Sequence, residues 1–262
     1  QLKAGEYQFP KAASVSEVVD ILVRGRQVLH AITFPEGLTS EQMVAKLREN
    51  DLLRGDLRDI PPEGSLLPDT YKFARDASRT SIVREMQAAQ KRIIDEVWRK
   101  RSADLPLRNV NELIVLASIV EKETGRADER TRVAAVFINR LNKKMKLQSD
   151  PTIVYGIVAG KGTLGRPILK SEIERRTAYN TYVIEGLPPG PIANPGRAAL
   201  EAVANPSRTN ELFFVADGTG GHAFAATLEE HNRNVARWRT IEKQRGEQAV
   251  KPVDKVLPPD EA

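Results

Sequence analysis

Residues 116–125 read LASIVEKETG: an apolar run that closes on two glutamates, Glu121 and Glu123, around Lys122 and stops at Gly125. Carboxyl groups at the end of a greasy segment are candidates for acid–base chemistry. Successive helical residues turn by about 100°, so the two glutamates point to different sides. Counting back from Glu123 by three, four and seven gives Val120, Ile119 and Leu116, an apolar stripe. The same count from Glu121 gives Ser118, Ala117 and Ile114, a smaller and less uniformly apolar set. Glu123 is therefore the carboxylate expected to continue the core-facing side. Burial and the negative end of the helix dipole would both raise its pKa, and a carboxylic acid that keeps its proton near neutral pH suits general-acid work. The plainer reading of an EKE run is a solvated or lysine-paired glutamate.

Other chemistries find less support. The histidines are His30, His222 and His231. His222, His231 and Asp217 are conceivable metal ligands, but there is no HExxH and no cysteine, and they read as ordinary polar residues. No metal or cofactor is expected. No GxSxG occurs, so a serine nucleophile on an elbow has no support. Gly218-Thr219-Gly220-Gly221 joins two apparent strands, ELFFVAD and HAFAAT, and reads as a hairpin turn rather than a phosphate cradle.

The stretch 177–196, TAYNTYVIEGLPPGPIANPG, has no helical period. A loop this long inside a compact domain is usually functional, and its aromatic and amide content argues against disorder. Tyr179, Asn180, Tyr182 and Asn194 would suit a sugar-binding groove, offering faces for stacking and amides for hydroxyls; a loop packed on its own side chains is the alternative. A carboxylic acid on a helix end facing such a loop fits glycoside cleavage. Glycosidases generally use two carboxylates, and only Asp150 and Glu121 lie near Glu123 in sequence.

These residues need elements to hold them. Ser14 and Glu17 have capping-box spacing ahead of a short helix that stops at Gly25, and Thr39 with Gln42 repeats the pattern. QVLHAITF, residues 27–34, reads as a strand. Residues 55–70, GDLRDIPPEGSLLPDT, are rich in proline, glycine and aspartate and suggest a domain boundary. A long helix is expected over about 79–100, with Ile82, Met86, Ile93, Ile94, Val97 and Trp98 inward, then one from Asn111 that carries the glutamates and one near 128–142. Asp150-Pro151 looks like an N-cap with proline at the first helical position. Asn194-Pro195 opens a helix to about Ala204, and Thr227 with Glu230 caps a last one. The tail from about Lys251 is Pro-rich and charged.

Composition sets outer limits. The 262 residues are 40% hydrophobic and 29% charged, with net charge +5, near the average for globular proteins. There is no run of five like charges and no basic stripe interleaved with aromatics, so nucleic-acid binding has no support. The absence of cysteine removes disulfides and thiolate chemistry without fixing a compartment. No stretch approaches the eighteen or so apolar residues of a membrane span. The chain starts at Gln1 without methionine, which reads as a processed or trimmed start.

Several motifs together resemble one known family. Ala117 to Thr124 (ASIVEKET), Val136 to Leu141 (VFINRL), Leu147 to Thr152 (LQSDPT), Ala178 to Tyr182 (AYNTY), Gly186 to Ile192 (GLPPGPI), Phe214 to Gly218 with Gly220-Gly221-His222, and Leu67 to Tyr71 (LPDTY) resemble the YceG-like (MltG) family of endolytic murein transglycosylases, in order and over nearly the whole chain. The resemblance implies an α+β fold: a small N-terminal α/β LysM-like region over 1–58 with its start truncated, a larger, mainly helical catalytic domain over 59–248 with a β-hairpin or small antiparallel sheet, and a flexible tail over 249–262. It implies Glu123 as the catalytic residue, and Gln148, Ser149, Asp150, Tyr179, Asn180, Tyr182 and His222 as residues that orient sugars or the glutamate, beside the Asn194 of the loop reading. It implies cleavage of the MurNAc-β-1,4-GlcNAc bond of nascent peptidoglycan strands with 1,6-anhydro ends, terminating glycan polymerisation. Peptidoglycan synthases (penicillin-binding proteins) would be partners. The full-length protein would be anchored in the inner membrane by a single pass, with this region facing the periplasm or cell wall. That reaction needs a single acid/base. A hydrolytic muramidase on the same site and a non-catalytic peptidoglycan-binding scaffold are the competing readings.

Overall fold

The computed structural model describes residues 5–25 and 27–249. The chain forms two compact units, one ending at Arg208 and one beginning at Thr209. The expected tail from Lys251 lies outside the described residues.

The first unit opens with α1 (Val15–Arg24), closed by the expected Ser14–Glu17 capping box and stopped by Gly25 at φ 63°. β1 (Leu29–Thr33) pairs antiparallel with β3 (Thr70–Ala74) in the register Leu29↔Ala74 to Thr33↔Thr70. Between them lie α2 (Ser40–Arg48), capped by Thr39 and Gln42, and the short β2 (Leu53–Arg54), which runs parallel to β4 (Ala77–Ser78). Period-two alternation sends Ile32, Tyr71 and Phe73 inward, where they meet Met43, Val44 and Leu47 of α2. Ile82 and Met86 complete this core from the next helix. The elements on either side of position 58 therefore share one sheet and one core, because the strand after the Pro-rich stretch 55–70 returns to pair with the strand before it.

α3 (Arg79–Arg99) buries Ile82, Val83, Met86, Ile94 and Val97 as its stripe demands. Ile93 and Trp98, expected inward, are only half-buried, and Trp98 carries the Arg101 guanidinium 3.8 Å from its ring centre. α4 (Val110–Glu123), capped by Asn109, is the centre of the unit: α3, α5 (Arg130–Asn142), α6 (Asp150–Val158) and α8 (Arg197–Ala204) all pack against it. α7 (Lys170–Glu174) is a single turn beside the long loop, and residues 177–196 contain no helix or strand. Two expected helix starts move. Asp150 is the first helical residue and Ser149 the N-cap, while Gly196, not Asn194, caps α8.

The second unit is a hairpin and a helix. β5 (Phe213–Ala216) pairs antiparallel with β6 (His222–Ala225), and the turn uses positive φ at Gly218 and Gly220, as the glycine-rich sequence predicts. α9 (Leu228–Ala249) follows, with Glu230 N–H on Thr227 Oγ1, and packs on both strands. No helix among the described residues is long and apolar enough to cross a membrane.

Candidate active site

Every residue of α4 from Val115 to Val120 is buried. Ala117 and Ser118, one turn before Glu121, are as deep as Ile119 and Val120 before Glu123. Residues 115–120 thus present no polar side, and face counting alone does not distinguish the glutamates. Their partners do.

Glu123 is the last residue of α4, half-buried, and its Oε1 accepts a hydrogen bond from Ser149 Oγ at 2.5 Å. Ser149 is 1% exposed and cannot swing. Its backbone N–H donates to Thr181 Oγ1 (2.9 Å), its carbonyl accepts from Thr152 Oγ1 (2.6 Å), and the two threonine hydroxyls lie 2.9 Å apart. The set closes on itself: Thr152 donates to the Ser149 carbonyl, so Thr181 donates to Thr152 and its own oxygen is free to accept from Ser149 N–H. The Ser149 backbone is thereby fixed, with its Oγ against Glu123 Oε1. The preceding residue, Gln148, sits at φ 52°, a conformation rare for a side-chain-bearing residue, and is held there by its N–H on the Thr181 carbonyl (3.2 Å). The chain turns at Gln148 so that Ser149 can cap α6 and face α4.

Two more groups border the carboxylate. Arg140 of α5 is buried, and one terminal nitrogen donates to the carbonyls of Lys146 and Leu147 and to Gln148 Oε1, all at 3.0–3.1 Å. Burial pulls the Arg140 pKa below its ordinary value, opposed by Tyr182 and Glu123; arginine stays charged regardless, so it supplies a fixed positive field. Tyr182 donates its hydroxyl to Asp150 Oδ1 at 2.6 Å, and burial, then Asp150 and Glu123, push its own pKa well up.

Glu121 does different work. Its Oε2 accepts the Gly196 N–H at 2.8 Å, at the start of α8. Burial raises its pKa, against the Gly196 bond and with the nearby Glu36. A side chain at 196 would push the exposed Glu36 carboxylate aside. Glu121 ties α4 to the N-terminal end of α8, where a carboxylate favours the helix dipole.

Two expected sugar contacts turn inward instead. Asn180 is 1% exposed, donates its amide to the carbonyls of Glu172, Ile173 and Arg175, and accepts the Tyr182 N–H. Asn194 is fully buried: Oδ1 accepts the Leu66 N–H at 2.9 Å, and Nδ2 reaches the Leu38 carbonyl, Ser40 Oγ and Glu63 Oε1 at 3.0–3.2 Å. Both amides staple backbone segments, because buried loop carbonyls and N–H groups need partners as much as sugar hydroxyls do. Tyr179 rests on Tyr155, ring centres 4.8 Å apart, and Tyr155 donates its hydroxyl to Glu63 Oε2 at 3.3 Å. His222 lies on β6 in the second unit, edge-on to Phe214 at 5.2 Å.

Sequence reasoning passed over Thr152, Thr181, Arg140 and Glu63. Thr152 and Thr181 sit inside motifs already singled out, LQSDPT and AYNTY, and Arg140 inside VFINRL. Glu63 gave no signal, being one acid in a Pro-rich stretch. Among the described residues no group of three His, Cys, Asp or Glu side chains is arranged to hold a metal ion.

Fold and site together define an α+β protein built around one buried helix, whose terminal carboxylate is fixed by a capping serine beside a long polar loop. The chain belongs to the YceG-like family, whose model matches residues 1–237. A protein of Streptococcus pneumoniae serotype 2 (strain D39 / NCTC 7466), named endolytic murein transglycosylase, is 32% identical over 284 residues, covering 90% of this chain and 50% of its own length. One of the same name from Bacillus subtilis (strain 168) is 31% identical over 264 residues, covering 88% of this chain and 71% of that protein. The chain thus spans about half the length of the pneumococcal relative. A crystal structure of a YceG-like protein from Listeria monocytogenes superposes with a TM-score of 0.65 at 30% identity, covering 88% of this chain and 84% of that one.

Proposed function

We propose that this chain is a lytic transglycosylase that cleaves the MurNAc-β-1,4-GlcNAc bond of peptidoglycan strands, with Glu123 as the sole acid and base. The observation that carries the reading is the Ser149–Glu123 hydrogen bond. By donating to Oε1 it orients the Glu123 carboxyl group. Glu123 gives its proton to the glycosidic oxygen as the C1–O bond breaks. The muramyl C6 hydroxyl then bonds to C1 and returns its proton to Glu123, so no water is consumed and a 1,6-anhydro end results. Arg140 stabilises the carboxylate formed midway, and Gln148, Asp150, Tyr179 and Tyr182 border the sugars. The names of the pneumococcal and Bacillus relatives support the substrate and the reaction class.

On this reading the chain works outside the cytoplasm on the cell wall, ending strands as peptidoglycan synthases extend them, and a membrane anchor belongs to the full-length protein. Residues 1–58, their sheet completed by β3, form a LysM-like region beside a catalytic region over 59–248. A hydrolytic muramidase is the second reading, favoured by Asp150, a second carboxylate adjoining Ser149. One experiment separates them: purified sacculi are digested and the products weighed. Anhydro ends, abolished in Glu123→Gln, are expected; reducing muramic ends would mean that water attacks. Glycan binding without cleavage would leave a scaffold. Full activity in Glu123→Gln would remove Glu123 from the chemistry.

A further inference from the structure

A cleft of about 390 Å³ opens in the first unit next to the end of α4. Its volume lies within the ordinary range of ligand sites, roughly 300–1,000 Å³. Lys122 and Asp150, chain neighbours of Glu123 and Ser149, belong to its wall, so the cleft begins one residue along the chain from each of them. Val154 and Val158 of α6, with Leu164 of the following segment, give it an apolar side. Gln42 and Thr39 of the α2 cap give it a polar one, and Thr39 Oγ1 bonds the Gly160 carbonyl at 2.6 Å, joining the two walls.

The charges in the cleft are unequal in availability. Arg166 is neutralised by Glu172 at 2.6 Å, and Asp150 Oδ1 is taken by the Tyr182 hydroxyl. Lys122 is exposed; its ammonium leans on the Gly37 carbonyl at 3.3 Å and also acts on the Glu121 carboxylate. An ammonium has three donors, so this contact leaves Lys122 able to take an anion or a carbonyl. Aromatic faces are scarce: Tyr155 is engaged by Tyr179 and tied to Glu63. A sugar ring wants stacking faces and many hydrogen-bond partners. Branched aliphatic walls with one ammonium suit small methyl-bearing residues that carry carbonyl and carboxylate groups.

We infer that this cleft binds the peptide arm that the lactyl group of the muramyl sugar carries beside the scissile bond, with Lys122 as the group that recognises its acidic and carbonyl oxygens. This rests on the reading of the chain as a peptidoglycan-cleaving enzyme. The arm distinguishes one sugar of the repeat from the other, so a seat for it next to Glu123 sets which of the two alternating bonds lies across the carboxyl.

The test uses glycan strands with their peptide arms and the same strands stripped by an amidase, and measures kcat/KM on both. The unaltered protein is expected to prefer the armed strands. In Lys122→Met the armed-to-stripped ratio is expected to fall about tenfold, the scale of one charge-assisted hydrogen bond, and to recover in Lys122→Arg. Val158→Glu, which puts a like charge on the apolar wall, is expected to lower the ratio as well. Equal rates on both substrates for the unaltered protein, or an unchanged ratio in both Lys122→Met and Val158→Glu, would overturn the inference. No cleavage of either substrate would instead overturn the transglycosylase reading beneath it.

Discussion

Asn194→Ala separates a loop amide that holds the fold from one that holds sugar. The substitution removes Oδ1, leaving the Leu66 N–H buried without an acceptor, which costs about 1–3 kcal/mol. It also removes the Nδ2 donor from Glu63 Oε1, which still accepts the Ser40 N–H at 2.8 Å; a hydrogen bond to a charged group contributes about 1.5–3 kcal/mol. The Leu38 carbonyl loses less, since the Asn194 backbone N–H still reaches it at 2.9 Å. The sum is about 3–5 kcal/mol, and at roughly 2–4 °C per kcal/mol for a unit of this size the melting temperature should fall on the order of 10 °C. Thermal unfolding checks this, paired with cleavage of sacculi well below the transition, where the variant should retain most of its rate. Asn194→Asp sharpens the test. It keeps an acceptor for Leu66 but sets a second carboxyl against Glu63, so its destabilisation should be larger at pH 8 than at pH 5. An unchanged melting temperature together with lost cleavage would refute the stapling role and return Asn194 to the substrate.

Ser149→Ala should lower kcat about 10- to 100-fold, the cost of one hydrogen bond to a charged group, with KM within about twofold; a normal kcat in steady-state assays would remove Ser149 from the positioning of Glu123. Glu63→Gln should flatten the pH dependence of stability. Burial raises the Glu63 pKa in the folded state, so the folded chain holds more protons than the unfolded one between the two values, and stability is lost as pH rises from the ordinary carboxylate range through the raised one. Denaturant midpoints from pH 4 to 8 should show the gap between Glu63→Gln and the unaltered chain widening in the variant's favour as pH rises, and parallel curves would contradict this.

Local chemistry was legible in the sequence. The boxes at Ser14–Glu17 and Thr39–Gln42, the Gly25 stop and the glycine turn before β6 depend on neighbours within a few residues, and all formed as read. What depends on packing was less so. Face counting treats α4 as amphipathic, but helices on every side bury it, and its glutamates are told apart by Ser149 and Gly196, 26 and 75 residues further along the chain. Amides near tyrosines look the same in a sequence whether they turn toward a ligand or toward their own backbone; Asn180 and Asn194 turn toward the backbone. The Pro-rich stretch 55–70 has the composition of a linker, yet Glu63, Leu66 and Tyr71 around it are anchored in the interior. Composition reports flexibility in isolation and is silent about distant partners.

The Asn194 staple also bears on the order in which the chain can mature. Residues 37, 38, 40, 63 and 66 all bond to Asn194 or to its backbone. Synthesis runs from the N-terminus, so the chain must extend through residue 194 before the segment around residues 37–66 finds its last buried partners; contacts of such long range form late and slowly. A fragment cut near residue 58 would lack both the strand that completes its sheet and the amide that closes its loops. The N-terminal region is consequently not a portable module, and transplanting it to another protein would require carrying the segment around Asn194 with it.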